Sequence, residues 1–526
     1  MLTLKIDNQT VSAEEGDKIL DAAAKLGVEI PTLCYRKGYD HFTSCMLCVV
    51  RDKTSGRLLP SCSAPVAAGM VIETNTAEVR EARKSALDLL LSEHVGDCEA
   101  PCRQVCPAHM NIPLMIRQII DGKLQDAIAT VKEAIALPAV LGRICPAPCE
   151  NGCRRGSFDL PVAICLLKRF VADADLARQL PYLPERCAMS GKKVAIVGSG
   201  PAGLTAAFHL LLKGHACTIF DEHEKPGGML RYGVSPENLP HDVLDAEIGV
   251  ISRLGAGFQL NTKIGKDFTI KQLKHHYDAI VLAIGKIDPG TGVNLGVEIT
   301  DRGIKVGIET SQTSDESIFA GGDAVQPSKM AVRSVAQGKA VAYAVDQFLA
   351  GIKPGREPAR FDSRVGKLLF GEISEFMKEV SDAVRVSPKG GPKAGFSNAE
   401  AVSESKRCLH CDCRKLDTCR LRLYADAYEA ERRRFKSDTR KKFERLVQHA
   451  DVIYEPGKCI KCGLCVQITG KQRESLGLTF IGRGFDVRVG VPFNESMDRA
   501  LQQTAAECVE ACPTGAIAWK RERKKR

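Results

Sequence analysis

Aromatic residues and long apolar runs are scarce in this sequence. Aromatic side chains make up 5% of the 526 residues, with a single tryptophan, which argues against a stacking surface for nucleic acid. The longest apolar run, around residues 194–212, is interrupted by glycines and a proline, so we predict no membrane span. The beginning, MLTLKIDNQTV, lacks an apolar core behind basic residues. We therefore expect no signal peptide and a cytoplasmic location.

The positive charge is modest for this length and is concentrated late in the chain. The formal net charge is +10, and the densest basic runs are ERRRFKSDTRKKFERL, which begins at Glu431, and the final KRERKKR. Such runs are typical of a solvated helix face and a frayed chain end. The alternative interpretation is a docking surface for an acidic electron-transfer partner.

Cysteine, in contrast, is abundant and clustered. The chain has 22 cysteines, most of them in short-spaced groups. Disulfide scaffolds are typically small secreted chains, whereas this chain is large and shows no leader. The spacing therefore predicts metal clusters in a reducing compartment.

Residues 1–78 predict a small iron–sulfur domain. Alternating apolar residues around a polar turn precede an amphipathic helix, and four cysteines follow: Cys34, Cys45, Cys48 and Cys62. Four thiolates hold a 2Fe–2S cluster, two on each iron. The segment resembles the N-terminal 2Fe–2S domain of the large iron–sulfur subunit of respiratory NADH dehydrogenase and of iron-only hydrogenases, which implies a β-grasp fold. A zinc site is the alternative.

Residues 79–185 contain two further groups of cysteines: Cys98, Cys102 and Cys106, then Cys145, Cys149 and Cys153. With MNIPLMIRQIIDGKLQDAIA and PVAICLLKRF, they resemble the two-cluster domain of the glutamate synthase small subunit and of dihydropyrimidine dehydrogenase. That resemblance implies an α-helical domain. It also implies one 4Fe–4S cluster held by Cys106, Cys145, Cys149 and Cys153.

The ligands of the domain's other cluster stay open. In the resembled family an upstream RCL-C pair joins the cysteine that corresponds to Cys102, and no such pair lies upstream here. His94 is one candidate, because HVGDC resembles the His-x3-Cys start of a cluster in the NADH dehydrogenase subunit; a surface or capping role is its alternative. The pair Cys408 and Cys411, in SKRCLHCDC, looks like the missing pair moved along the chain. Cys165 is the third candidate, against a role as a small buried apolar residue.

Residues 186–352 contain a dinucleotide-binding pattern. The run KKVAIVGSGPAGLTAAFHLLLKGHACTIFDEHEKPGG has an apolar strand, G-x-G-x-x-G, a helix, and a second strand that ends in an acid. Gly198 predicts a tight turn, Gly200 a close approach of the backbone to a diphosphate, and Gly203 close packing of helix and strand. Asp221 is placed to bond the adenosine ribose.

The remainder of this domain resembles the flavin-binding region of the glutamate synthase small subunit. The resemblance covers PGGMLRYGVSPENLPHDVLDAEI and IFAGGDAVQPSKMAVRSVAQGKAVAYAVDQFL. It implies that the nucleotide is FAD, that Asp323 contacts the ribityl chain, and that a helix from Val335 faces the isoalloxazine ring. The other expected FAD contacts are Gly227, Gly228, Met229, Gly285 and Gly322.

A second dinucleotide domain is missing between Gly285 and Gly321. Family members carry an NAD(P)H domain there, whereas this sequence has only residues 286–320 and no second G-x-G-x-x-G. A dinucleotide βαβαβ unit does not fit in that length, so IDPGTGVNLGVEITDRGIKVG is predicted to be a short connection. We expect one face of the flavin to be open or covered by another protein.

Residues 353–455 are predicted to form a linker and a long charged helix beside four cysteines: Cys408, Cys411, Cys413 and Cys419. A cluster of their own, a contribution to the open site of the helical domain, and a zinc knot all remain possible.

Residues 456–526 have the pattern of a ferredoxin-like domain. We expect one 4Fe–4S cluster held by Cys459, Cys462, Cys465 and Cys512, because the CP motif of one half supplies the fourth ligand in two-cluster ferredoxins. Position 469 is a threonine where a second cluster would need a cysteine. The cysteines expected to be structural or left over are Cys187, Cys217 and Cys508.

Together these segments predict a multidomain α/β and α+β protein: a β-grasp 2Fe–2S domain, a helical two-cluster domain, a Rossmann-like FAD domain and a ferredoxin-like domain. The expected cofactors are FAD, one 2Fe–2S cluster and about three 4Fe–4S clusters. Because a flavin exchanges one or two electrons and clusters only one, we expect an electron-transfer subunit of a soluble hetero-oligomeric oxidoreductase. Its expected partners resemble NADH dehydrogenase flavoprotein subunits, formate dehydrogenase, hydrogenase or ferredoxin.

Two other functions remain as alternatives. One is a self-contained FAD oxidoreductase of the glutamate synthase small-subunit type, acting on NAD(P)H or a small substrate. The other is a non-catalytic iron–sulfur scaffold or redox sensor. The flavin is the group predicted to carry out the chemistry, and no catalytic side chain is predicted.

Overall fold

The computed structural model describes residues 1–287, 295–391, 393–435 and 439–520. The chain divides into two compact units. The first, called the cluster unit, comprises Met1–Ala100, Arg360–Glu379 and the chain from Cys411 onward. The second, called the nucleotide unit, comprises Pro101–Ala359 and Val380–His410. The segment predicted as one linker, residues 353–455, is therefore divided between both units.

The cluster unit begins with a five-stranded sheet in the order β2-β1-β5-β3-β4. The strands are β1 (Leu2–Ile6), β2 (Gln9–Ala13), β3 (Val49–Asp52), β4 (Arg57–Pro60) and β5 (Val71–Glu73). Helix α1 (Ile19–Lys25) packs Ile19 and Ala22 into the same apolar core as Leu4 and Ile6 of β1. Alternation of apolar residues along β1 thus builds the small sheet-and-helix fold that the sequence predicts. Helix α2 (Ala77–Ser92) follows.

Six helices open the nucleotide unit: α3 (Pro101–Val105), α4 (Ile112–Ile120), α5 (Leu124–Lys132), α6 (Pro138–Ile144), α7 (Pro148–Asn151) and α8 (Ile164–Leu176). In α4 the residues Ile112, Met115, Ile116 and Ile119 are buried, which is the spacing of one helix face. Helices α6 and α8 cross closely, because a Cβ on Gly142 would lie 2.8 Å from the Cα of Arg169.

A parallel sheet in the order β12-β9-β6-β7-β8 forms the rest of the nucleotide unit. Its strands are β6 (Lys193–Val197), β7 (Ala216–Phe220), β8 (Gly257–Gln259), β9 (Ala279–Leu282) and β12 (Ile318–Ala320), with the two-residue strands β10 (Ile299–Thr300) and β11 (Gly303–Ile304) paired apart from it. The helices are α9 (Pro201–Leu212), α10 (Met229–Tyr232), α11 (His241–Arg253), α12 (Ile270–His276) and α13 (Ala331–Leu349). This is the Rossmann-like arrangement that the glycine pattern predicts. Residues 288–294 of the predicted short connection lie outside the described residues.

The remaining elements are short. They are α14 (Glu372–Met377), α15 (Asn398–Ser405), α16 (Arg420–Ala427), β13 (Val452–Tyr454), α17 (Leu464–Lys471), β14 (Thr479–Ile481), β15 (Arg488–Gly490), α18 (Met497–Ala500), α19 (Ala505–Ala511) and β16 (Ile517–Trp519). Of these, α15 belongs to the nucleotide unit and the others to the cluster unit. Strands β13 and β16 pair antiparallel. No helix in the described part of the chain has both the length and the apolar character needed to cross a bilayer.

The long charged helix predicted after Cys419 is wrong. Helix α16 ends at Ala427, and the described residues 428–435 and 439–451 contain no helix. Several of the basic side chains there, Arg434, Arg440 and Arg445 among them, bind acidic groups of the cluster unit instead of lining a solvated helix face. Arg445 donates to the buried Glu455 at 3.1 Å. Residues 436–438 and 521–526 of the two basic runs lie outside the described residues.

Candidate metal centres and dinucleotide site

The four N-terminal cysteines lie in two loops of the cluster unit and are at most 3% exposed. They form two hydrogen-bonded pairs. A hydrogen bond with Cys45 lowers the pKa of Cys34 to about 5, and a hydrogen bond with Cys62 lowers the pKa of Cys48 to about 7. Two pairs of thiols fit a 2Fe–2S cluster, which takes two ligands on each iron.

A cavity of about 350 Å³ in the C-terminal part of the cluster unit is lined by Cys459, Cys462, Cys465 and Cys512. The first three come from the loop and first turn of α17, and Cys512 directly follows α19. The backbone N–H of Lys461 donates to the Sγ of Cys459 at 3.3 Å. Four thiols around a cavity, with a backbone donor to one of them, fit a 4Fe–4S cluster.

Thr469 and Cys508 do not line this cavity. The Thr469 hydroxyl donates to the carbonyl of Val466 at 3.1 Å and accepts from the N–H of Leu478 at 2.9 Å. The threonine therefore fixes the turn that leads to β14. Cys508 is fully buried in the apolar core beneath.

The nucleotide unit has a second four-cysteine cavity, and its membership differs from the expectation. About 340 Å³ in volume, it is lined by Cys106, Cys145, Cys149 and Cys165, together with apolar residues. Cys153, the expected fourth member, is not among the lining residues. Cys165 takes its place because it lies on the first turn of α8 and bonds to Cys145, which lowers the pKa of Cys145 to about 6. The sequence feature that could have identified Cys165 as a member of this site is its position at the end of PVAIC.

A buried lysine that the sequence did not single out also lines this cavity. Lys168 lies one turn after Cys165 on α8 and is 5% exposed. Its Nζ donates to the carbonyl of Leu141 at 3.2 Å. Among the described residues no carboxylate pairs with it, so the ammonium faces the four thiols alone.

Cys153 lies instead beside the helix that carries Cys102. A Cβ on Gly152 would come within 3.2 Å of the carbonyl oxygen of Pro101. The lack of a side chain at Gly152 thus lets the end of α7 pack directly on α3.

Cys408 is held at the same part of the nucleotide unit. The guanidinium of Arg155, two residues after Cys153, donates to the carbonyl oxygen of Arg407 at 3.3 Å. A hydrogen bond therefore joins the segment just after Cys153 to the residue just before Cys408. Cys102, Cys153 and Cys408 all pack against one apolar core.

A third cavity, in the cluster unit, is lined by His94, Cys98, Cys413 and Cys419 among other residues. Burial, with the positive charges of Lys458 and Arg432 nearby, lowers the pKa of His94 to about 3. The imidazole is neutral at physiological pH. Neither a surface nor a capping role accounts for this position.

One apolar core touches three of the cysteine groups of the cluster unit. It contains Cys34, Cys45, Cys419 and Cys462, with leucines from α2 and α17 among them. Lys415 forms another connection, because its Nζ donates to the carbonyl oxygen of Cys512 at 2.8 Å. That bond ties the loop between Cys413 and Cys419 to the end of α19.

The glycines after β6 form the cradle predicted for a dinucleotide. Gly198 has φ +102°, and a Cβ there would lie 2.3 Å from the carbonyl oxygen of Ala283. A Cβ on Gly203 would lie 2.0 Å from the carbonyl oxygen of Gly198. A Cβ on Gly200, in contrast, would meet no protein atom within 4 Å. The backbone of Gly200, at the N-terminus of α9, is thus open to a phosphate ligand.

The two predicted acids lie close to this cradle. The carboxylate of Asp221 accepts from the N–H of Ser199 at 2.8 Å and from the N–H of His223 at 3.0 Å. Burial alone would raise the pKa of Asp221, but these bonds lower it, so the acid is ionised. The Oδ1 of Asp323 accepts from the N–H of Ser328 at 3.1 Å.

Helix α13 packs tightly on α9, since a Cβ on Gly338 would lie 2.3 Å from the carbonyl oxygen of Ala202. Its first turn carries Val332, which also lines the cavity of Cys165. The nucleotide cradle and the cluster cavity therefore share one helix. The other expected FAD contacts lie at the ends of helices and strands of this unit. Gly227 and Gly228 precede α10, and a Cβ added to Gly228 would lie 2.8 Å from the Cα of Gly200. The exposed Met229 is the first residue of α10, and Gly285 and Gly322 follow β9 and β12.

Among the described residues, no three side chains of His, Cys, Asp or Glu converge closely enough to hold a single metal ion. The cysteine groups surround cavities instead.

Three segments match known domain families. Residues 1–77 match the 2Fe-2S iron-sulfur cluster binding domain. Residues 74–180 match dihydropyrimidine dehydrogenase domain II, 4Fe-4S cluster, and residues 196–246 match an NAD(P)-binding Rossmann-like domain. The chain is a multidomain iron–sulfur protein with a Rossmann-like domain. The resemblances predicted for these segments, and the multidomain α/β fold class, are confirmed.

Relatives of known function match parts of the chain. The NADP(+)-dependent formate dehydrogenase subunit beta of Moorella thermoacetica is 44% identical over 207 residues, or 35% of this chain and 29% of that protein. The NAD-dependent dihydropyrimidine dehydrogenase subunit PreT of Escherichia coli O157:H7 is 39% identical over 199 residues, covering 38% and 48%. The glutamate synthase [NADPH] small chain of Bacillus subtilis is 34% identical over 201 residues, covering 36% and 40%. The chain thus spans less than half the length of each of these relatives.

Proposed function

We propose that this protein is an iron–sulfur flavoprotein that transfers electrons between FAD and a series of iron–sulfur clusters, as a subunit of an oxidoreductase complex. The observation that carries the proposal is the sharing of α13. One helix packs on the dinucleotide cradle through Gly338 and lines a four-cysteine cavity through Val332. A two-electron carrier and a one-electron carrier would then be neighbours in one unit.

We assign the cluster ligands from the geometry of each site. Cys34, Cys45, Cys48 and Cys62 hold the 2Fe–2S cluster, and two 4Fe–4S clusters are held by the sets Cys106, Cys145, Cys149, Cys165 and Cys459, Cys462, Cys465, Cys512. A third 4Fe–4S cluster takes Cys102, Cys153 and Cys408. Its fourth ligand is predicted from the sequence alone to be Cys411, because Cys408 and Cys411 have C-x2-C spacing.

FAD is the proposed nucleotide, although the matching domain family is described as NAD(P)-binding. The support is the second half of the fold. The loop after β12 carries Gly322 and Asp323 to the start of α9, where a Cβ on Gly322 would lie 2.8 Å from the Cβ of Ala202. This loop resembles the FAD-closing motif of the family that the sequence resembles, and Asp323 would there contact the ribityl chain. When bound, FAD supplies the switch between two-electron and one-electron chemistry.

The protein's own residues bind and orient the cofactors. The open backbone of Gly200 and the N–H groups of the first turn of α9 would hold the diphosphate. The ionised Asp221 would hold the ribose. Apolar residues make up most of the lining of the cavities around Cys165 and Cys512, and such low-dielectric surroundings would strengthen charge interactions within them.

The partners are proposed to be redox proteins that exchange electrons with this series of cofactors. The named relatives include a beta subunit of a formate dehydrogenase, and a similar catalytic subunit or a reduced ferredoxin fits the chemistry here. A cytoplasmic hetero-oligomer is the corresponding expectation.

A pair of matched variants tests the nucleotide site. In Gly200→Ala the added methyl meets no protein atom, so we expect a normally folded chain with little bound flavin. Gly203→Ala places a methyl against the Gly198 carbonyl and should disturb the fold of the loop as well. Flavin content and circular dichroism of the purified proteins separate the two. Normal FAD content in Gly200→Ala would contradict the assignment of this cradle.

Stopped-flow absorbance tests which reductant supplies electrons to the FAD. We expect negligible anaerobic bleaching of FAD when the chain meets NADH or NADPH, because the domain that orients nicotinamide in relatives is missing. Reduced ferredoxin or the native partner should bleach it rapidly. Fast and saturable reduction by NAD(P)H alone would contradict the relay and support a second candidate, an NAD(P)H-dependent oxidoreductase. That candidate is favoured by the NAD(P)-binding description of residues 196–246.

A further inference from the structure

A fully exposed phenylalanine lies on the surface of the cluster unit. Phe370 is 100% exposed, and its neighbour Leu369 is 41% exposed. They form the tip of a loop, residues 366–371, which we call the Phe370 loop. Its two end residues, Gly366 and Gly371, have φ +77° and +83°, a backbone geometry that glycine adopts without strain. The loop is thus a tight turn that presents apolar side chains to solvent.

The base of the Phe370 loop is fixed by the buried carboxylate of Glu372, whose side chain is 1% exposed. This carboxylate accepts from the N–H of Leu369 at 2.6 Å and from the N–H of Phe443 at 2.7 Å. It also accepts from both ends of the Arg440 guanidinium, which donates a further bond to the carbonyl of Lys367 at 2.8 Å. The exposed tip is therefore carried on a supported turn, which lowers the entropy cost of binding through it.

The surface beside the Phe370 loop is positively charged. Two segments meet here, residues 360–379 and the described residues of 431–446, because Arg432 donates to the carbonyl of Arg364 and Arg440 donates to that of Lys367. Each acid that the structure describes in these segments has a basic partner: Asp362, Glu372, Glu375, Glu379, Glu431 and Glu444.

Three exposed cations of the same two segments are left uncompensated. Lys367 lies in the Phe370 loop itself, and Arg433 and Lys442 each adjoin a residue that is bonded to one of the contacts above. None of the three has an ion pair with another described residue. The loop is therefore an apolar tip with a net positive charge around it.

The loop is also joined to one of the cysteine groups of the unit. The carbonyl of Ser363 accepts from the N–H of Cys98 at 2.9 Å, and the N–H of Ser363 donates to the Sγ of Cys98 at 3.4 Å. The N–H of Val365 donates to the carboxylate of Asp97 at 2.8 Å, and the Phe370 loop begins at the next residue. A protein bound at the loop would thus be connected to a cysteine through one short hydrogen-bonded segment.

We propose that the Phe370 loop and the three cations beside it bind a small acidic electron-transfer protein of the ferredoxin type, with Phe370 inserted into an apolar pocket of that partner. Aromatic anchors and arginines are the side chains that dominate binding at protein interfaces. The uncompensated positive charge selects a partner of opposite sign and speeds its approach. This assignment rests on the proposed electron-transfer function and names the surface for one of its partners.

A binding titration tests the aromatic anchor. The probe is an acidic bacterial two-cluster ferredoxin, added to the full chain purified without oxygen. Phe370→Ala should raise the Kd about thirtyfold, which is the size of effect expected for loss of a central anchor. Phe493→Ala, at a residue of the same unit that is 89% exposed, is the matched control and should leave the Kd unchanged. No binding to the unmodified chain, or equal effects in the two variants, would overturn the proposal.

Stopped-flow mixing at low and at high salt tests the charges. Lys367→Glu and Arg433→Glu should each lower the association rate constant about tenfold at low salt and have little effect at high salt, because salt screens exposed charges. Lys5→Glu, which reverses an exposed charge on β1, controls for net charge and should change the rate much less. The same slowing in all three variants would show that no local surface is involved and would overturn the proposal.

Sedimentation velocity distinguishes another occupant of the loop. A dimer of the unmodified chain that dissociates in Phe370→Ala would show that the loop binds a second copy, and it would overturn the ferredoxin assignment. The FAD and iron contents of the same preparations are measured as well. A chain that contains both but does not bind ferredoxin contradicts this surface alone, whereas a chain that binds ferredoxin but contains no FAD contradicts the proposed function.

Discussion

The four-cysteine cavity of the cluster unit and that of the nucleotide unit have nearly the same volume, 350 and 340 Å³, but they are built differently. In the first, three cysteines come from one C-x2-C-x2-C run and the fourth from the end of α19. In the second, the four come from separate places: Cys106 after α3, Cys145 after α6, Cys149 on α7 and Cys165 on α8. A ligand set within one loop is fixed by local spacing, whereas a dispersed set is fixed by how helices pack.

The charges around the two cavities differ as well. Near the cluster unit's cavities, the buried Lys458 pairs with Glu455, which also accepts from Arg445 at 3.1 Å. In the nucleotide unit, Lys168 faces its cavity with no carboxylate partner among the described residues. The buried lysine near the cluster unit's cavities is therefore balanced, and the one beside the nucleotide unit's cavity leaves a positive charge next to the proposed cluster.

The largest expected effect concerns the dispersed set. Cys165→Ala should abolish the electron paramagnetic resonance signal of the cluster that also needs Cys145. Cys153→Ala should spare that signal and remove a different one, because Cys153 lies with Cys102. If Cys153→Ala removes the Cys145 cluster and Cys165→Ala does not, the ligand set expected from the sequence is right and the helix-packing argument fails.

The next effect concerns the balanced lysine. Lys458→Met leaves Glu455 buried with only part of its compensation, and loss of one member of a buried ion pair costs about 3 kcal/mol. The single tryptophan, Trp519 on β16, reports the unfolding of this unit by fluorescence in denaturant. Lys441→Met, which removes a surface pair with Glu93, is the control and should cost less than about 1 kcal/mol. Equal losses of unfolding free energy in both variants would show that the buried pair stabilises the unit no more than the surface pair does.

The unbalanced lysine should act on a potential rather than on stability. A positive charge beside a cluster favours its reduced form, so Lys168→Met should lower the equilibrium constant for reduction about tenfold, or about 59 mV for one electron. Lys168→Arg retains the charge and should titrate like the unmodified protein. Potentiometry followed by electron paramagnetic resonance measures both, with the 2Fe–2S cluster as an internal reference. The same reduction potential in both variants would show that the charge of Lys168 does not influence the cluster.

The smallest effect is an opposite pH dependence of two buried acids. Burial raises the pKa of Glu247 in the nucleotide unit to about 7, against hydrogen bonds from the N–H groups of Ala139 and Val140. Its stabilising contribution is present below the unfolded pKa of about 4.3 and is lost as pH rises to 7. In the cluster unit burial would raise the pKa of Glu372, but bonds from Arg440 and from the N–H groups of Phe443 and Leu369 lower it to about 2. That contribution is lost as pH falls from about 4.3 to 2.

Hydrogen exchange of the peptides around α6 and α14 measures the two trends separately. Each slope is at most about 1.4 kcal/mol per pH unit, since one proton is involved. Glu247→Gln should flatten the trend around α6 and leave α14 unchanged. A trend of the same sign in both peptides would contradict the contrast between the units.

The sequence by itself determined the parts in which chemistry is local. The spacing of Cys34, Cys45, Cys48 and Cys62, the run that begins at Cys459, and the glycines around Gly200 each predict one site, because neighbours in the chain are neighbours in the loop that binds. The alternation in β1 and the G-x-G-x-x-G likewise predict the first strands and the Rossmann-like fold, since strand and helix periods follow from backbone geometry. The β-grasp arrangement of the first domain was implied by its resemblance to known 2Fe–2S domains.

Only the tertiary structure decided the groupings that join distant segments. Cys165 meets Cys145 because α8 crosses α6 at Gly142, and His94 meets Cys413 because the backbones of Cys98 and Cys413 are hydrogen-bonded. The predicted charged helix after Cys419 failed for a related reason. Its arginines gain more stability from buried acids such as Glu455 than they would from ion pairs between neighbouring turns of a solvated helix. Such pairs are worth only a few tenths of a kcal/mol. The buried acids lie far away in the sequence or outside the helical period.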